Sequence, residues 1–282
     1  MSAPRLRKKI GGWSLFIYVA LAAYAVVAVF PVLLVVYNSI KSKKAIFGQP
    51  LSLPGPGTID FRGYETVWEA ANFPRYFLNS GIVTVGSLIL TLLFGAMAAY
   101  ALTEFRFRFS RWLALYITIG LMVPIRLGTV AIIKLMIALG LMNTSLALIL
   151  VYTAMNIPVA VLILSVFMST VSQDLKNAAR IDGAGEYRIL FEHVIPLIRP
   201  AIATVAVFTM IPVWNDLWFP LILANSESTK TVILGAQQFV GQYFKDWNAM
   251  LAALTLSIVP TLLLYLLFSR QLIAGLTRGA VK

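Results

Sequence analysis

Cysteine is absent from this chain and histidine occurs once, as His193. Without a thiolate there is no disulfide, no cysteine nucleophile and no Cys-ligated zinc or iron–sulfur site. One imidazole cannot supply a His pair for a metal, so no metal site is expected. Charge is scarce as well: Asp, Glu, Lys and Arg make up 12% of the 282 residues, against about 25% in soluble domains. Hydrophobic residues reach 60% and the mean hydropathy is +0.85. One globular core cannot hide so much apolar surface, so the chain is expected in a bilayer. The remaining charge is one-sided, with 23 Lys and Arg against 11 Asp and Glu. In a membrane protein such an excess fixes orientation. No basic stretch is interleaved with aromatics as a nucleic-acid groove requires, which excludes that partner. A Gly-x-x-x-x-Gly-Lys-Ser/Thr phosphate loop is also missing, since Gly57 and Gly63 have the wrong spacing.

What is present is a series of long apolar runs, each near the roughly 20 residues that cross about 30 Å of hydrocarbon. The first covers residues 13–37, behind an N-terminal segment 1–12 that carries Arg5, Arg7, Lys8 and Lys9. Ala20-Leu21-Ala22 resembles a signal cleavage triplet, but the run exceeds the about 7–15 residues of a signal core and reads as a retained anchor. Residues 38–76 form a polar loop punctuated by Pro50, Pro54, Gly55, Pro56 and Gly57, with an amphipathic stretch at 61–71. A core domain follows at 77–270. Its second span is 77–102, and the third starts at Trp112 but is broken near Pro124, Arg126 and Gly128. Residues 131–143 form an apolar helix partly outside the spanning register. The fourth span is 146–168 with Pro158, the fifth 201–224 with Pro212 and Pro220, and the sixth 250–268. A short basic tail, 271–282, is expected to be flexible.

Six spans place both termini on one face. Fourteen of the 23 Lys and Arg fall on the termini, the turn at Arg106–Arg111 and the 169–200 connector, and nine fall opposite. That asymmetry assigns both termini to the cytoplasm, although Lys41, Lys43 and Lys44 behind the first span argue the other way.

The 169–200 connector is the longest polar stretch between two spans, far beyond the about 2–8 residues that usually join bundled helices. Leu175, Ala178, Ala179 and Ile181 begin a helix with a small-residue face, which Gly183 and Gly185 break. A second short helix, 186–194, is stopped by Pro196 and Pro200. Ala178, Ala179, Gly183 and Ala184 would let another protein approach the backbone, with Leu175, Ile181, Ile189 and Phe191 as apolar knobs.

The stretch Ala178-Ala179-Arg180-Ile181-Asp182-Gly183-Ala184, with Pro196 thirteen residues after Gly183, resembles the EAA loop of bacterial ABC-importer permeases. Trp214-Asn215-Asp216, Asp246-Trp247-Asn248 and the ending Gly275–Lys282 are similar to the carbohydrate-uptake permeases of the maltose-transporter type, in particular their six-span subunit. The resemblance implies an all-α polytopic bundle of six transmembrane helices with the type I ABC-importer permease fold, in the bacterial inner membrane. It implies an ATP-driven importer for a sugar, oligosaccharide or sugar-like glycoside, with no cofactor in this chain and ATP and Mg bound by a partner ATPase. Two ATPase subunits, a second and different permease, an extracytoplasmic solute-binding protein and membrane lipid are the implied partners. The ATPase-coupling residues would be Asn177, Ala178, Ala179, Asp182, Gly183, Ala184, Glu186 and Pro196. Two departures stand out: the family's Glu falls on Asn177, and its apolar residue three before the loop proline falls on His193.

Polar groups that would be costly facing lipid mark a candidate substrate pathway: Asn79, Ser80, Asn156, Asn215 and Asp216. Tyr152, Trp214 and Trp218 would offer aromatic walls, and Arg126 or Lys134 would suit an anionic cargo. The competing readings are interhelical hydrogen bonding for Asn79 and Asn156 and an interfacial belt for Trp214 and Trp218. Asp216 is expected to brace the bent fifth helix. Loops 41–75 and 225–248 would face the binding protein. The rival function class is an ion-coupled secondary transporter of a small polar solute; it needs intramembrane acids and internal repeats. In the sequence, Asp216 and Glu104 could serve it and no repeat is visible.

Overall fold

The computed structural model describes residues 12–70, 72–240 and 246–280. Arg5, Arg7, Lys8 and Lys9 of the basic N-terminal segment, and Val281 and Lys282 of the tail, lie outside the described residues. In chain order the helices are α1 (Gly12–Asn38), α2 (Lys43–Gly48), α3 (Arg62–Glu65, prolonged by a π-helical turn Thr66–Ala70), α4 (Phe73–Glu104), α5 (Ser110–Gly120), α6 (Thr129–Ala138, preceded by a 3-10 turn Ile125–Gly128) and α7 (Ser145–Met168). They continue with α8 (Gln173–Ile181), α9 (Glu186–Arg188, prolonged by a π-helical stretch Ile189–Val194), α10 (Ile195–Leu197), α11 (Arg199–Asn215), α12 (Trp218–Leu223), α13 (Val232–Gln237) and α14 (Trp247–Ala280). Among the described residues the chain is all-α apart from an isolated bridge between Lys41 and Ile59. By length and composition α1, α4 and α7 can each cross a membrane. Two bent pairs pass the same test jointly: α5 with 125–138, bent by 87°, and 186–197 with α11, bent by 85°. The expected sixth span lies within α14, and that helix runs on to Ala280, so the tail anticipated as flexible is helical through residue 280.

Two compact units divide the chain, residues up to Ala70 with Phe239–Thr255, and Ala71–Gln238 with the remainder from Leu256. In the first unit α1 has 27 residues, long enough for about 40 Å, and presents almost its whole apolar surface outward. A lipid solvent permits this where water would not. The loop after it is more ordered than its prolines and glycines suggest. Ser42 N–H donates to Thr58 O at 2.8 Å and Asp60 N–H to Ile40 O at 2.9 Å, closing the loop on itself. Lys41 is fully buried, and its ammonium donates to the carbonyls of Gln49 (3.0 Å) and Ser52 beneath the Tyr37 ring. Asn248 Nδ2 donates to the carbonyls of Ser39, Lys41 and Asp60 at 3.2, 2.7 and 3.3 Å. A Cβ on Gly63 would stand 2.2 Å from the Asn248 side chain, so only glycine fits there. Trp247 meets Phe47 edge-on, and Asp246 Oδ1 accepts from Ala249 N–H. The Asp-Trp-Asn motif is therefore a clasp that holds the first loop.

In the second unit α4 and α7 form the central pair. The buried face of α4 includes Tyr76, Asn79, Ser80, Val83, Ser87, Thr91, Gly95 and Ala99, recurring at every helical turn and mostly small or hydroxylic. Its other face, with Leu78, Ile82, Ile89 and Leu93, is exposed. Between membrane helices no hydrophobic drive operates, so small residues that allow close backbone approach take its place. A Cβ added to Gly86 would lie 2.9 Å from Ile149, and one on Gly95 2.7 Å from the Ala160 Cβ. Both contacts rise together along the two helices, so α4 and α7 run parallel. One apolar cluster gathers at the end bearing Ala99, Leu164 and Met168, joined by Ala179, Ile189, Leu190 and Val194; another surrounds Val83, Leu148, Tyr152, Phe219 and Leu223.

Several details differ from the sequence-based expectation. Pro196 does not stop the second elbow helix: it falls within the first positions of α10, where its missing N–H costs nothing. The chain turns at Ile198 instead (φ −98°, ψ 20°). The fifth span is not one helix over 201–224. Pro212 is accommodated inside α11, and the break comes at Asp216, which is extended (ψ 136°), before α12 begins.

The close α4–α7 contact generates a prediction. Gly95→Val should destabilise the protein by about 1–3 kcal/mol through overpacking, read as a lowered melting midpoint in detergent, and Ala160→Gly in the same chain should restore part of it. An unchanged midpoint for Gly95→Val would contradict the packing.

Candidate functional site

Helix α8 is closed at both ends by local chemistry. The Ser172 hydroxyl caps its start, accepting from Asp174 N–H at 3.2 Å. At its end Gly183 N–H donates to Arg180 O and Ala184 N–H to Ala179 O, a Schellman turn that requires the left-handed backbone of Gly183 (φ +82°). Gly183 thus breaks the helix, as its position in the sequence indicates.

The inner face of α8 is tied to the end of α4 by Glu104, whose side chain is only 3% exposed. Its carboxylate accepts from Gln173 Nε2 at 2.8 Å and Arg180 Nη2 at 2.6 Å, and pairs with Lys176. Arg180 also donates through Nε to Glu186 Oε1 at 2.7 Å, while the Tyr100 hydroxyl donates to Glu186 Oε2 at 2.7 Å. One guanidinium therefore joins the end of a span to the second elbow helix. Its pKa is raised above the ordinary arginine value by Glu186 and then Glu104. The Glu186 carboxyl is held below the usual carboxylate range, chiefly by Arg180.

This network rearranges the roles expected from sequence. Glu186 has both oxygens occupied inside the chain and is a brace. Ala179 and Ile189 are buried in the apolar cluster rather than presented outward. The outward surface includes Leu175, Asn177, Ala178, Ile181, Asp182 and Gly183, together with Tyr187 and Phe191 and the charged Asp174, Arg188 and Glu192. Ile181 is 86% exposed and Tyr187 70%. Between the two elbow helices lies a hollow of about 330 Å³, lined by Leu175, Ala178, Ala179, Asp182, Ala184, Arg188 and the half-buried His193. Asn177 Oδ1 accepts from Arg180 Nη1 at 3.0 Å. The residues that sequence reasoning missed are Glu104, Gln173 and Lys176 as the anchor; the signal for Glu104 was an acid ending an apolar span beside a basic turn.

The candidate pathway residues separate into two groups. Asn79 and Ser80 are buried and pin the following loop: Asn79 Nδ2 donates to the carbonyls of Ser228 (3.0 Å) and Lys230 (2.9 Å), and Ser80 Oγ accepts from Val232 N–H at 2.8 Å. Tyr76 donates to Glu227 at 2.5 Å and Asn143 Oδ1 accepts from the Asn225 and Ser226 amides, at 3.1 and 3.2 Å. The first part of the 225–248 loop is thereby fixed, and residues 241–245 lie outside the described residues.

Tyr152, Asn156, Asn215 and Asp216 do meet, around a polar cavity of about 350 Å³ that also touches Arg126, Met155, Pro212 and Phe219. The Tyr152 hydroxyl donates to Asp216 Oδ2 at 2.8 Å, and Phe219 N–H donates to the same oxygen at 3.0 Å. Asp216 braces the break between α11 and α12. Trp214 is buried, not in an interfacial belt: its Nε1 donates to Ser257 O at 3.1 Å and its ring packs on Phe77. Trp218 is half exposed, with Nε1 donating to Thr129 Oγ1 at 3.1 Å. Among the described residues no group of three acidic, His or Cys side chains could hold a metal ion.

A fold of broken and unbroken apolar helices, with a braced elbow between α7 and α11, is that of an ABC-importer membrane subunit. A solved chain from a bacterial ABC transporter involved in the import of the acidic polysaccharide alginate matches it with a TM-score of 0.80 at 23% identity, over 95% of this chain and 99% of that one. The family of binding-protein-dependent transport system inner membrane components matches residues 91–277, and the chain belongs to it. The diacetylchitobiose uptake system permease protein of Streptomyces coelicolor is 34% identical over 264 residues, 93% of this chain and 87% of its own length. The arabinooligosaccharides transport system permease protein of Halalkalibacterium halodurans is 32% identical over 280 residues, 99% of each chain. Membership makes this chain a translocation component, with ATP hydrolysis on a separate subunit. The rival reading as a secondary transporter falls with it, and Glu104, one of the two acids it needed, already serves three donors.

Two predictions concern the elbow. Glu104→Gln leaves Lys176 and Arg180 without their shared partner and should cost about 3–5 kcal/mol, seen as faster amide exchange across residues 173–181. Unchanged exchange there would refute the anchor. The Arg180–Glu186 tie is complete above the unfolded carboxyl pKa of about 4.3 and weakens as pH falls through the lower folded value of Glu186. Amide exchange at 183–188 should therefore stay flat from neutral pH to about pH 5 and rise only in stronger acid, once the chemical rate is divided out.

Proposed function

We propose that this chain is one of two permease subunits of an ATP-driven importer for a sugar, oligosaccharide or sugar-like glycoside. The single observation that carries the reading is the elbow: a two-helix projection with an exposed apolar and small-residue tip, rigidly tied to the end of a spanning helix. Such a part has no use in a transporter that works alone, and it suits a lever for a separate motor. The saccharide class is supported by the two relatives, which are permeases for diacetylchitobiose and arabinooligosaccharides.

In this reading the elbow and both termini are cytoplasmic and the membrane is the bacterial inner membrane. Two ATPase subunits bind ATP and Mg and close on the elbows, gripping Leu175, Asn177, Ala178, Ile181, Asp182, Gly183 and Ala184. Closure favours one of two arrangements of the spans, and ATP shifts the population between them. With asparagine in place of the family's glutamate, docking rests on shape and on Asp182. Tyr152, Asn156, Asn215 and Asp216 form the polar part of the path, while Trp214, Asn79 and Ser80 keep its walls in place. A solute-binding protein delivers cargo on the face of the 38–76 and 225–248 loops.

A pair of variants tests the docking. A side chain at Gly183 points into open space but must accept a left-handed backbone, which asparagine tolerates, as Asn72 and Asn143 do in this chain. In proteoliposomes holding the complete importer, Gly183→Asn should keep most ATP-dependent uptake, whereas Gly183→Trp should abolish uptake at normal membrane abundance. Full uptake with Gly183→Trp, or uptake that follows an ion gradient and ignores ATP, would defeat the reading.

A further inference from the structure

The polar cavity contains a cation that nothing in the elbow or the helix breaks explains. Arg126 lies in the 3-10 turn between α5 and α6 and lines the cavity with Tyr152, Asn156, Asn215 and Asp216. Among the described residues no carboxylate approaches it within 4 Å. Its guanidinium carbon stands 5.7 Å from the ring centre of Trp218. Thr129 fixes both partners: its hydroxyl donates to the Arg126 carbonyl at 2.6 Å and accepts from Trp218 Nε1 at 3.1 Å. Arg126 is exposed at the 87° bend between α5 and 125–138, and it shares the cavity lining with Asn156, at mid-length of the 24-residue α7. A charge within a broken apolar span such as α5 with 125–138 is costly facing hydrocarbon and marks a function by default. The cavity's own carboxylate is engaged through one oxygen, since Asp216 Oδ2 accepts from Tyr152 and from Phe219 N–H. An aromatic face steadies the guanidinium without neutralising it, and its N–H fork is left to an oxyanion that can accept two hydrogen bonds.

We propose that Arg126, held on Trp218, is the specificity-determining contact for an anionic group on the cargo, a carboxylate or sulfonate carried by a saccharide. The inference rests on the importer reading above and adds the charge class of what is imported. Asn156 and Asn215 would take neighbouring hydroxyls, and Tyr152 with Asp216 would hold the wall.

The test uses the complete importer in proteoliposomes, with digalacturonate and a sulfonated glycoside as anionic probes and cellobiose as the neutral one. ATP-driven uptake of an anionic probe is expected. Arg126→Gln should raise its half-saturating concentration about tenfold or more at wild-type membrane abundance, while Arg126→Lys, which keeps the charge, should raise it less. Uptake of cellobiose alone would overturn the anionic assignment and leave the importer reading standing, whatever Arg126→Gln does to it. Uptake of an anionic probe with Arg126→Gln unchanged would do the same. Loss of a bound anionic lipid in native mass spectra of Arg126→Gln, with saccharide uptake unaltered, would give the site to a lipid headgroup and overturn the proposal. Failure to carry any probe in an ATP-dependent way would bring down both readings.

Discussion

The parallel contact of α4 and α7 is the constraint on which the second unit depends. Both helices are apolar on their outer faces and in lipid gain nothing by hiding leucine from leucine. They meet where Gly86, Gly95 and Ala160 allow the backbones close, and the hydroxyls of Ser87 and Thr91 are buried on the same face. From that pair both candidate regions follow. One end of α4 brings Tyr100 and Glu104 to the elbow, and the other brings Tyr76, Asn79 and Ser80 to the loop after α12. At the middle of α7, Tyr152 and Asn156 face the break between α11 and α12.

Spans, elbow and turn glycine were legible in the sequence because each has a local cause. Apolar runs near 20 residues and a glycine after a small-residue helix are readable without knowing any tertiary partner. The Asn215–Asp216 break and the bent third span were also signalled by Pro124, Pro212 and Pro220, although the proline positions did not mark the turning points themselves. Pro196 and Pro212 sit inside helical segments because the surrounding helix tolerates one missing donor, and the chain turns a few residues later.

What was not legible depends on distant partners. Glu186 looks like an exposed acid in a polar connector, and only the arrival of Tyr100 and Arg180 makes it a brace. Ala179 and Ile189 read as part of a gripping surface because their helices are short and polar, yet both are buried in the apolar cluster with the ends of α4 and α7. Asn79 and Ser80 qualified as path-lining groups by being polar within a span, but the loop at 228–232 claims their hydrogen bonds. Trp214, too, looked interfacial by position, and Ser257 and Phe77 draw it inside. In each case the residue type announced that a partner must exist and could not say which.

The sheltered ammonium of Lys41 has a practical consequence for mapping sidedness. Lys43 and Lys44, two and three residues on, are exposed, whereas Lys41 is enclosed by carbonyls and a phenol ring. On whichever side of the membrane the first loop lies, a membrane-impermeant acylating reagent supplied there would tag its exposed pair and spare the enclosed amine. Such a footprint separates the leaflet a loop occupies from the fold it has adopted.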